Sequence, residues 1–460
     1  MSVEQKFDAI IIGCGQAGPP LAGRLTAAGQ TVALIERKLV GGTCVNTGCK
    51  PTKTMVASAY AAHLARTGAD YGVSTGEVSI DMQVVKARKD KVTLDSRAGL
   101  ESWIAGMKGC TLFRGHAHFE GPHEVRVGNE LLHGERIFIN VGGRANIPDM
   151  PGVNDISYLT NTSMMEVDFL PRHLVVVGGS YIGLEFAQMF RRFGAQVTVV
   201  EKGPRLISRE DEDVSEAVRG MLEHEGIALR LNAECISFAR HPDGVTVGVD
   251  CTSGDRAVTG SHVLLAIGRK PNTDDLGLDR AGVATDKRGY IEVDDQLRTN
   301  VPHIWAMGDC NGKGAFTHTA YNDFEIVAAN LLDNDPRKVS DRIEAYALYV
   351  DPPLGRAGMT ETAARKSGRK VLAGQRPMTR VGRAVEKGET QGFMKILVDA
   401  DTRQILGASV LGIGGDEAIH AVLDLMYARA PIETLQRAVH IHPTVSELLP
   451  TIAIELKPLA

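Results

Sequence analysis

The sequence predicts an α/β fold in which two Rossmann-like dinucleotide-binding units are followed by a C-terminal α+β unit. Three observations carry this. Residues 7–36 read as buried strand, glycine turn, helix, buried strand and glutamate; the same order returns 165 residues later; and from about residue 337 the apolar pattern becomes one of alternation and helices. A chain of 460 residues is long for one hydrophobic core and suits about three domains. With 43% hydrophobic and 23% charged residues it has a globular composition. The net charge of -5, with no basic run, argues against nucleic acid as a partner. No apolar stretch reaches membrane-spanning length and no signal-peptide pattern precedes the first strand, so no membrane partner and a cytoplasmic address are expected.

In the first unit, residues 7–12 are apolar, with isoleucine at 10, 11 and 12, as in a strand buried on both faces. Gly13-x-Gly15-x-x-Gly18 follows, then a helical pattern to about Ala28, a second strand over 31–35, and Glu36 at its end. Glycines permit a tight turn and close approach to a pyrophosphate, the helix N-terminus receives its charge, and the carboxylate accepts ribose hydroxyls. Pro19 and Pro20 fit only because the first helical turn has spare N–H positions.

The second unit has a strand over 173–177, the turn Gly178-Gly179-Ser180-Tyr181-Ile182-Gly183, a helix to about Phe193, a strand over 196–200, and Glu201. Gly13, Gly18, Gly29 and Glu36 correspond to Gly178, Gly183, Gly194 and Glu201 at one constant offset, which predicts two separate dinucleotide sites. Ser180 replaces the usual middle glycine with another small residue.

Between the first turn and the repeat lies Gly41-Gly42-Thr43-Cys44-Val45-Asn46-Thr47-Gly48-Cys49-Lys50-Pro51-Thr52-Lys53, followed by a helical run over 52–66. Cys49 therefore falls near a helix N-terminus, where thiol pKa values drop to ~3.5–7.5. The pair suits a reversible disulfide. The competing reading is half of a zinc site, but the chain has no second Cys pair or Cys/His cluster at ligand spacing. Seven cysteines are too few for a secreted disulfide framework, and Cys14, Cys110, Cys235, Cys251 and Cys310 are read as small hydrophobes.

Further on, short strand-like runs fill 107–141, a buried strand covers 263–267, and residues 303–307 lead into Gly308-Asp309. Toward the C-terminus, 392–398 and 404–412 alternate around the turn 399–402, helical runs cover 415–429 and 432–438, and Val439-His440-Ile441-His442-Pro443-Thr444-Val445-Ser446-Glu447 closes the informative part. By itself, His442 before proline reads as a structural turn residue.

The segment Gly41–Lys53 resembles the redox-active disulfide segment of the class I pyridine nucleotide-disulfide oxidoreductases, flavoenzymes that include dihydrolipoamide dehydrogenase, glutathione reductase and mercuric reductase. The resemblance implies FAD in the first unit and a pyridine nucleotide in the second, divided as 1–147 (FAD, first part), 148–271 (NAD(P)), 272–336 (FAD, second part) and 337–460 (dimer interface). It implies that Gly13, Gly15, Gly18, Glu36, Gly42, Thr43, Lys53, Gly143, Asp309, Ala315, Thr317 and His318 bind the flavin cofactor. Gly178, Ser180, Tyr181, Ile182, Gly183, Glu201, Gly268 and Arg269 would serve the nucleotide and its crossing strands. Residues 139–144 and 268–273 resemble the crossings between the two units, and Asp309 the ligand of the ribityl chain. Glu201 favours NADH, since a carboxylate repels a 2′-phosphate, although Lys202 and Arg205 stand nearby and NADPH stays open.

By the same resemblance, electrons pass from NAD(P)H through FAD to the Cys44–Cys49 disulfide. Cys44 exchanges with substrate and Cys49 faces the flavin; Lys53 and Glu185 form an ion pair beside the nicotinamide; and His442, held by Glu447, is the acid/base contributed across a homodimer. The acceptor implied is a small disulfide, an oxidised sulfur species or a metal ion. The variants at 46–47, 51–53 and 351–356 look closer to the mercuric-reductase-like and reactive-chlorine-induced flavoproteins than to dihydrolipoamide dehydrogenase. No C-terminal cysteine pair for Hg(II) delivery is present, so efficient mercury reduction is not expected. Alternatives are a dihydrolipoamide dehydrogenase running toward NADH, a flavin transhydrogenase or NADH oxidase, and a non-catalytic FAD-binding redox sensor.

Overall fold

The computed structural model describes residues 3–234, 236–249 and 256–459; Cys235 and Cys251 lie outside them. The two sheets with parallel strands grow from the apolar runs in the sequence. A seven-stranded sheet has the order Cys110–Arg114, Val32–Glu36, Val3–Ile12, Glu130–Ile139, Glu124–Val127, Ala117–Gly121, with Ile304–Ala306 also paired to Glu130–Ile139. The pairs among its first four strands, and that of Ile304–Ala306, are parallel. Buried on both faces, Ile10, Ile11, Ile12 and Val32–Ile35 divide their side chains between two hydrophobic clusters, which is why the strands read as continuous apolar runs.

The chain leaves this sheet after Ile139 and returns to it at Ile304. In between stands a four-stranded parallel sheet, Ala228–Arg230, Gln196–Val200, His173–Val177, His262–Leu265, beside a three-stranded antiparallel sheet, Ser237–His241, Gly244–Gly248, Ala257–Gly260. The two passages between the sheets meet as a ribbon: Gly143–Ala145 pairs antiparallel with Arg269–Pro271, and Asn272 Nδ2 donates to the Val141 carbonyl at 2.9 Å.

The C-terminal part is a six-stranded sheet, Ala345–Leu348, Leu354–Gly358, Ile405–Leu411, Phe393–Asp399, Val371–Pro377, Lys457–Pro458, every pair antiparallel. Helix Gly415–Tyr427 packs on it through Ala418, Ile419 and Val422. The expected hairpin and helices are thus present, with the helices at Gly415–Tyr427 and Ile432–Arg437. Helix Met82–Ala105, to which sequence reasoning made no assignment, lies along helix Cys49–Thr67. Among the described residues no helix is long and apolar enough to cross a membrane, and no cluster of three or more His, Cys, Asp or Glu could hold a metal ion.

Candidate active site

The first glycine turn is packed against its own chain, with Gly13, Gly15 and Gln16 still partly exposed. Gly13 has φ +109°, and a Cβ there would stand 2.2 Å from the Asn140 carbonyl oxygen; at Gly18 it would stand 2.2 Å from the Gly13 oxygen. Helix Gly18–Ala27 takes Pro19 and Pro20 into its first turn, where neither costs a hydrogen bond. Glu36 accepts the Cys14 N–H at 3.0 Å and the Lys38 N–H at 2.8 Å, which fixes its carboxylate at the edge of the turn. Gly41 N–H donates to the Cys14 carbonyl at 2.9 Å, and a Cβ on Gly42 would come within 2.9 Å of Gly15 Cα. The cysteine segment is thereby laid over the turn, with Thr43 exposed beside it. Space without side chains above a helix N-terminus fits a pyrophosphate.

Helix Cys49–Thr67 begins at the second cysteine, with Gly48 as its N-cap, and is anchored by buried Met55, Ala59 and Ala62 on one face. Cys49 Sγ lies 3.1 Å from the Thr317 hydroxyl, at the first turn of helix Thr317–Ala328. A hydrogen bond from Cys44, that from Thr317 and the Lys53 ammonium outweigh burial and bring the Cys49 thiol down to about 6. Cys44 moves the opposite way, its thiol pushed up by the bond it shares with Cys49 and by burial. The shared bond thus shifts the two sulfurs in opposite directions, Cys49 toward the thiolate and Cys44 toward the thiol. Lys50, beside Cys49 in the first turn of the helix, donates to Ser96 Oγ at 3.0 Å.

Lys53 Nζ lies 2.5 Å from Glu185 Oε2 and 4.6 Å from the centre of the Tyr349 ring. Glu185 is only 6% exposed, and its other oxygen accepts the Tyr349 N–H at 3.1 Å. Helices Cys49–Thr67 and Tyr181–Phe193 pack together, so two residues 132 positions apart in the chain form one ion pair.

The second turn repeats the first. Gly178 has φ +116°, with a hypothetical Cβ 2.4 Å from the Ala266 oxygen, and at Gly183 it would stand 2.1 Å from the Gly178 oxygen. Glu201 accepts the Gly179 N–H at 2.6 Å and the Gly203 N–H at 2.8 Å. Ser180 is the exposed N-cap of helix Tyr181–Phe193, and Ile182 packs on the core behind it. Arg205 donates to the Ser208 carbonyl at 3.2 Å.

Where the two units meet, Arg269 Nη2 donates to the Gly143 carbonyl at 2.6 Å and its Nε lies 3.4 Å from Asp309 Oδ2. Burial raises the Asp309 carboxyl despite that cation. These residues, with Ala315 and Phe316, line a cavity of about 390 Å³. A half-buried carboxylate on such a cavity fits the hydroxyls of a ribityl chain. Gly268, φ +101°, has open space where a side chain would be. His318 Nε2 makes a 2.7 Å bond with the Ala345 carbonyl, and its ring stacks on Phe316.

His442 stands apart from all of these within its own chain. Its Nδ1 is 2.8 Å from Glu447 Oε2, and its side chain is 80% exposed. Neighbouring Val439 and Ile441 are 97% and 79% exposed, an apolar tip that a single chain leaves uncovered. Of the other cysteines described, Cys14 and Cys310 are buried, and burial raises the Cys310 thiol to about 12 and that of Cys110 to about 11. Sequence reasoning missed Asn140, Tyr349, Glu210 and Tyr346. Only Asn140 and Arg356 carried a signal, as parts of the stretches 139–144 and 351–356.

The family described as pyridine nucleotide-disulphide oxidoreductase matches residues 7–323, and its dimerisation domain matches residues 345–453. The chain is 36% identical over 452 residues to the probable pyridine nucleotide-disulfide oxidoreductase RclA of Escherichia coli K12, covering 96% of this chain and 98% of that protein. It is 32% identical over 449 residues to a mercuric reductase of Streptomyces lividans (96% and 94% covered). Against a dihydrolipoyl dehydrogenase of Thermus scotoductus it is 31% identical over 445 residues (96% and 95% covered). Among solved structures, the Cu(II) complex of the HOCl-induced flavoprotein disulfide reductase RclA from Escherichia coli superposes with a TM-score of 0.90 at 35% identity, covering 98% of this chain and 100% of that one. Two glycine turns, a cysteine pair at a helix start and a C-terminal dimerisation domain thus belong to one enzyme: the chain is a member of the pyridine nucleotide-disulphide oxidoreductases, an FAD-dependent, homodimeric oxidoreductase that uses a pyridine nucleotide.

Proposed function

We propose that this enzyme passes two electrons from NADH through its flavin into the Cys44–Cys49 pair, and from there to a compact thiophilic acceptor, an oxidised sulfur species or a soft metal ion. The observation that carries this is the placement of Cys49 at a helix start, 3.1 Å from Thr317 and within the field of Lys53. In this reading 1–147 and 272–336 hold the flavin, 148–271 the nucleotide, and 337–460 the dimer contact. Glu36, Asp309 and the turn at 13–18 bind FAD; Glu201 and the turn at 178–183 bind NADH. Glu201 supports NADH because both its oxygens are fixed by backbone amides where a ribose would lie, while Arg205 is turned to a carbonyl.

FAD, when bound, supplies the two-electron relay between the nicotinamide hydride and the disulfide. The protein's own groups manage charge and protons. Above pH about 6 Cys49 stands as a thiolate, its charge held by the Thr317 hydroxyl and Lys53. Cys44 keeps its proton, so a base must take it before that sulfur attacks. His442 of the partner subunit, oriented through Glu447, is assigned this step. With a disulfide substrate, the Cys44 sulfur bonds to one substrate sulfur and the other leaves with the imidazolium proton. Cys49 then displaces the second substrate thiol, and the enzyme disulfide reforms. Relatives named mercuric reductase and a solved Cu(II) complex favour reducible, thiol-binding metal ions among the acceptors to try first.

An anaerobic NADH titration of the wild type and of Cys49→Ser tests the relay. A long-wavelength absorbance band at the two-electron stage in the wild type alone is the expected result. If both proteins simply bleach, the disulfide is outside the electron path and a plain flavin dehydrogenase is the better description.

A further inference from the structure

A buried ionic group joins the second glycine turn to the C-terminal sheet, and the reaction just described leaves it without a task. Glu210 is 2% exposed and Arg356, on strand Leu354–Gly358, 1%. Glu210 Oε2 accepts Arg356 Nε at 3.1 Å and Nη2 at 2.5 Å, and Arg356 Nη2 also reaches Asp211 at 3.2 Å. A buried pair of this kind adds little net stability over well-packed apolar residues. What it supplies here is a fixed acceptor: Glu210 Oε1 takes the Tyr346 hydroxyl at 2.8 Å and the Tyr181 hydroxyl at 3.3 Å. Burial and the Glu210 charge raise both phenols, which stay protonated and donate. The loop that carries Glu210 is itself costly to hold. Ile207, a β-branched residue, sits at φ 39°, and backbone bonds of 2.8 Å from Ile207 N–H to the Gly179 carbonyl and from Glu210 N–H to the Ile207 carbonyl fold the loop back onto the turn.

The ring positions give this a purpose. Tyr181 and Glu185 lie one turn apart on the same face of helix Tyr181–Phe193, and Glu185 meets Lys53. Tyr181 packs edge-on against Phe316 and Tyr346, at 6.4 and 5.5 Å between ring centres, and Phe316 directly precedes Thr317, the partner of Cys49. With 178–183 read as the nucleotide site, a nicotinamide directed from that turn toward the Lys53–Glu185 pair would pass the Tyr181 ring. We propose that Glu210, braced by Arg356 from the C-terminal sheet, is a positioning residue for the pyridine nucleotide, holding Tyr181 and Tyr346 as a rigid aromatic wall on the nicotinamide's path. This rests on the reading of 178–183 as the nucleotide site.

The test is rapid-mixing reduction of the FAD-loaded dimer by NADH over a range of concentrations, for wild type, Tyr181→Phe, Tyr346→Phe and Glu210→Gln. Tyr181→Phe keeps the ring and loses its tether, and the expected result is a half-saturating NADH concentration raised roughly three- to tenfold with the limiting reduction rate within about twofold of wild type. Glu210→Gln, which releases both rings, gives a larger rise and Tyr346→Phe a smaller one, with FAD content unchanged. A Tyr181→Phe enzyme whose half-saturating NADH stays within about twofold of wild type overturns the proposal, whether or not Glu210→Gln folds. A wild type that neither NADH nor NADPH reduces overturns the nucleotide-site reading and the proposal with it.

Discussion

The two glycine turns differ less in themselves than in what lies over them. Each has a first glycine at positive φ with a backbone oxygen 2.2 or 2.4 Å from any Cβ, and a third glycine pressed on the first. Each ends at a glutamate that accepts the same two backbone amides, Cys14 and Lys38 in the first, Gly179 and Gly203 in the second. Over the first turn, however, the cysteine segment folds back and the Asn140 side chain closes in on the middle glycine, whereas the loop at 206–210 folds onto Gly179 in the second and leaves its middle position, Ser180, exposed. One local pattern thus makes a closed holder and an open dock. The closed one suits a flavin kept through many turnovers, the open one a nucleotide that must leave after each.

The comparison is broken most severely at the first glycines. Gly13→Ala and Gly178→Ala each push a methyl into a backbone oxygen at positive φ, at a cost of roughly 3–5 kcal/mol. Gly13→Ala is expected to purify without yellow colour, with a Tm lower by roughly 10 °C. Gly178→Ala should keep its flavin spectrum and lose reduction by NADH while dithionite still reduces it; loss of flavin there too would show that the turns are not independent. The Lys53–Glu185 pair, which ties the cysteine helix to the second unit, comes next. Glu185→Gln leaves a half-buried ammonium without its partner, and flavin reduction by NADH should slow about tenfold, roughly 1.4 kcal/mol, read in single-turnover mixing. The helix start above the first turn has its own pH signature. Cys49 in the reduced enzyme takes up a proton as pH falls through about 6, so its alkylation by iodoacetamide should be flat above that value and fall about tenfold per pH unit below it. An inflection near 9 would mean that Thr317 and Lys53 do not hold its charge. The smallest effect is expected at the middle position. Ser180 makes no side-chain capping bond, so Ser180→Gly should shift stability by about 0.5 kcal/mol or less. Gly15→Ser, beneath the Asn140 amide at 3.3 Å, should cost more and weaken flavin retention, measured by thermal release of FAD.

Much of the site was legible because its requirements are local. Glycines at 13, 18, 178 and 183 are demanded by turns that close within six residues, and the place of Cys49 at a helix start follows from its immediate neighbours. The Lys53–Glu185 and His442–Glu447 pairs were expected through the resemblance, and each pair lies within hydrogen-bond distance. Tyr349, Glu210 and Tyr346 left no such trace, and Asn140 and Arg356 entered only inside the stretches 139–144 and 351–356, without a role of their own. Each acts through a partner more than 100 positions away in the chain, and a lone asparagine or arginine carries no spacing to read.

The sequence by itself determined the two turns, their glutamates, the cysteine pair and the order of the units, because each is a short-range demand of backbone geometry or of a helix terminus. Only the tertiary structure decided which turn is covered and which is open, and how Glu210 and Arg356 tie the second turn to the C-terminal sheet. Those outcomes depend on side chains and backbone brought together by the packing of sheets and helices, and packing is a property of surfaces that no local stretch contains.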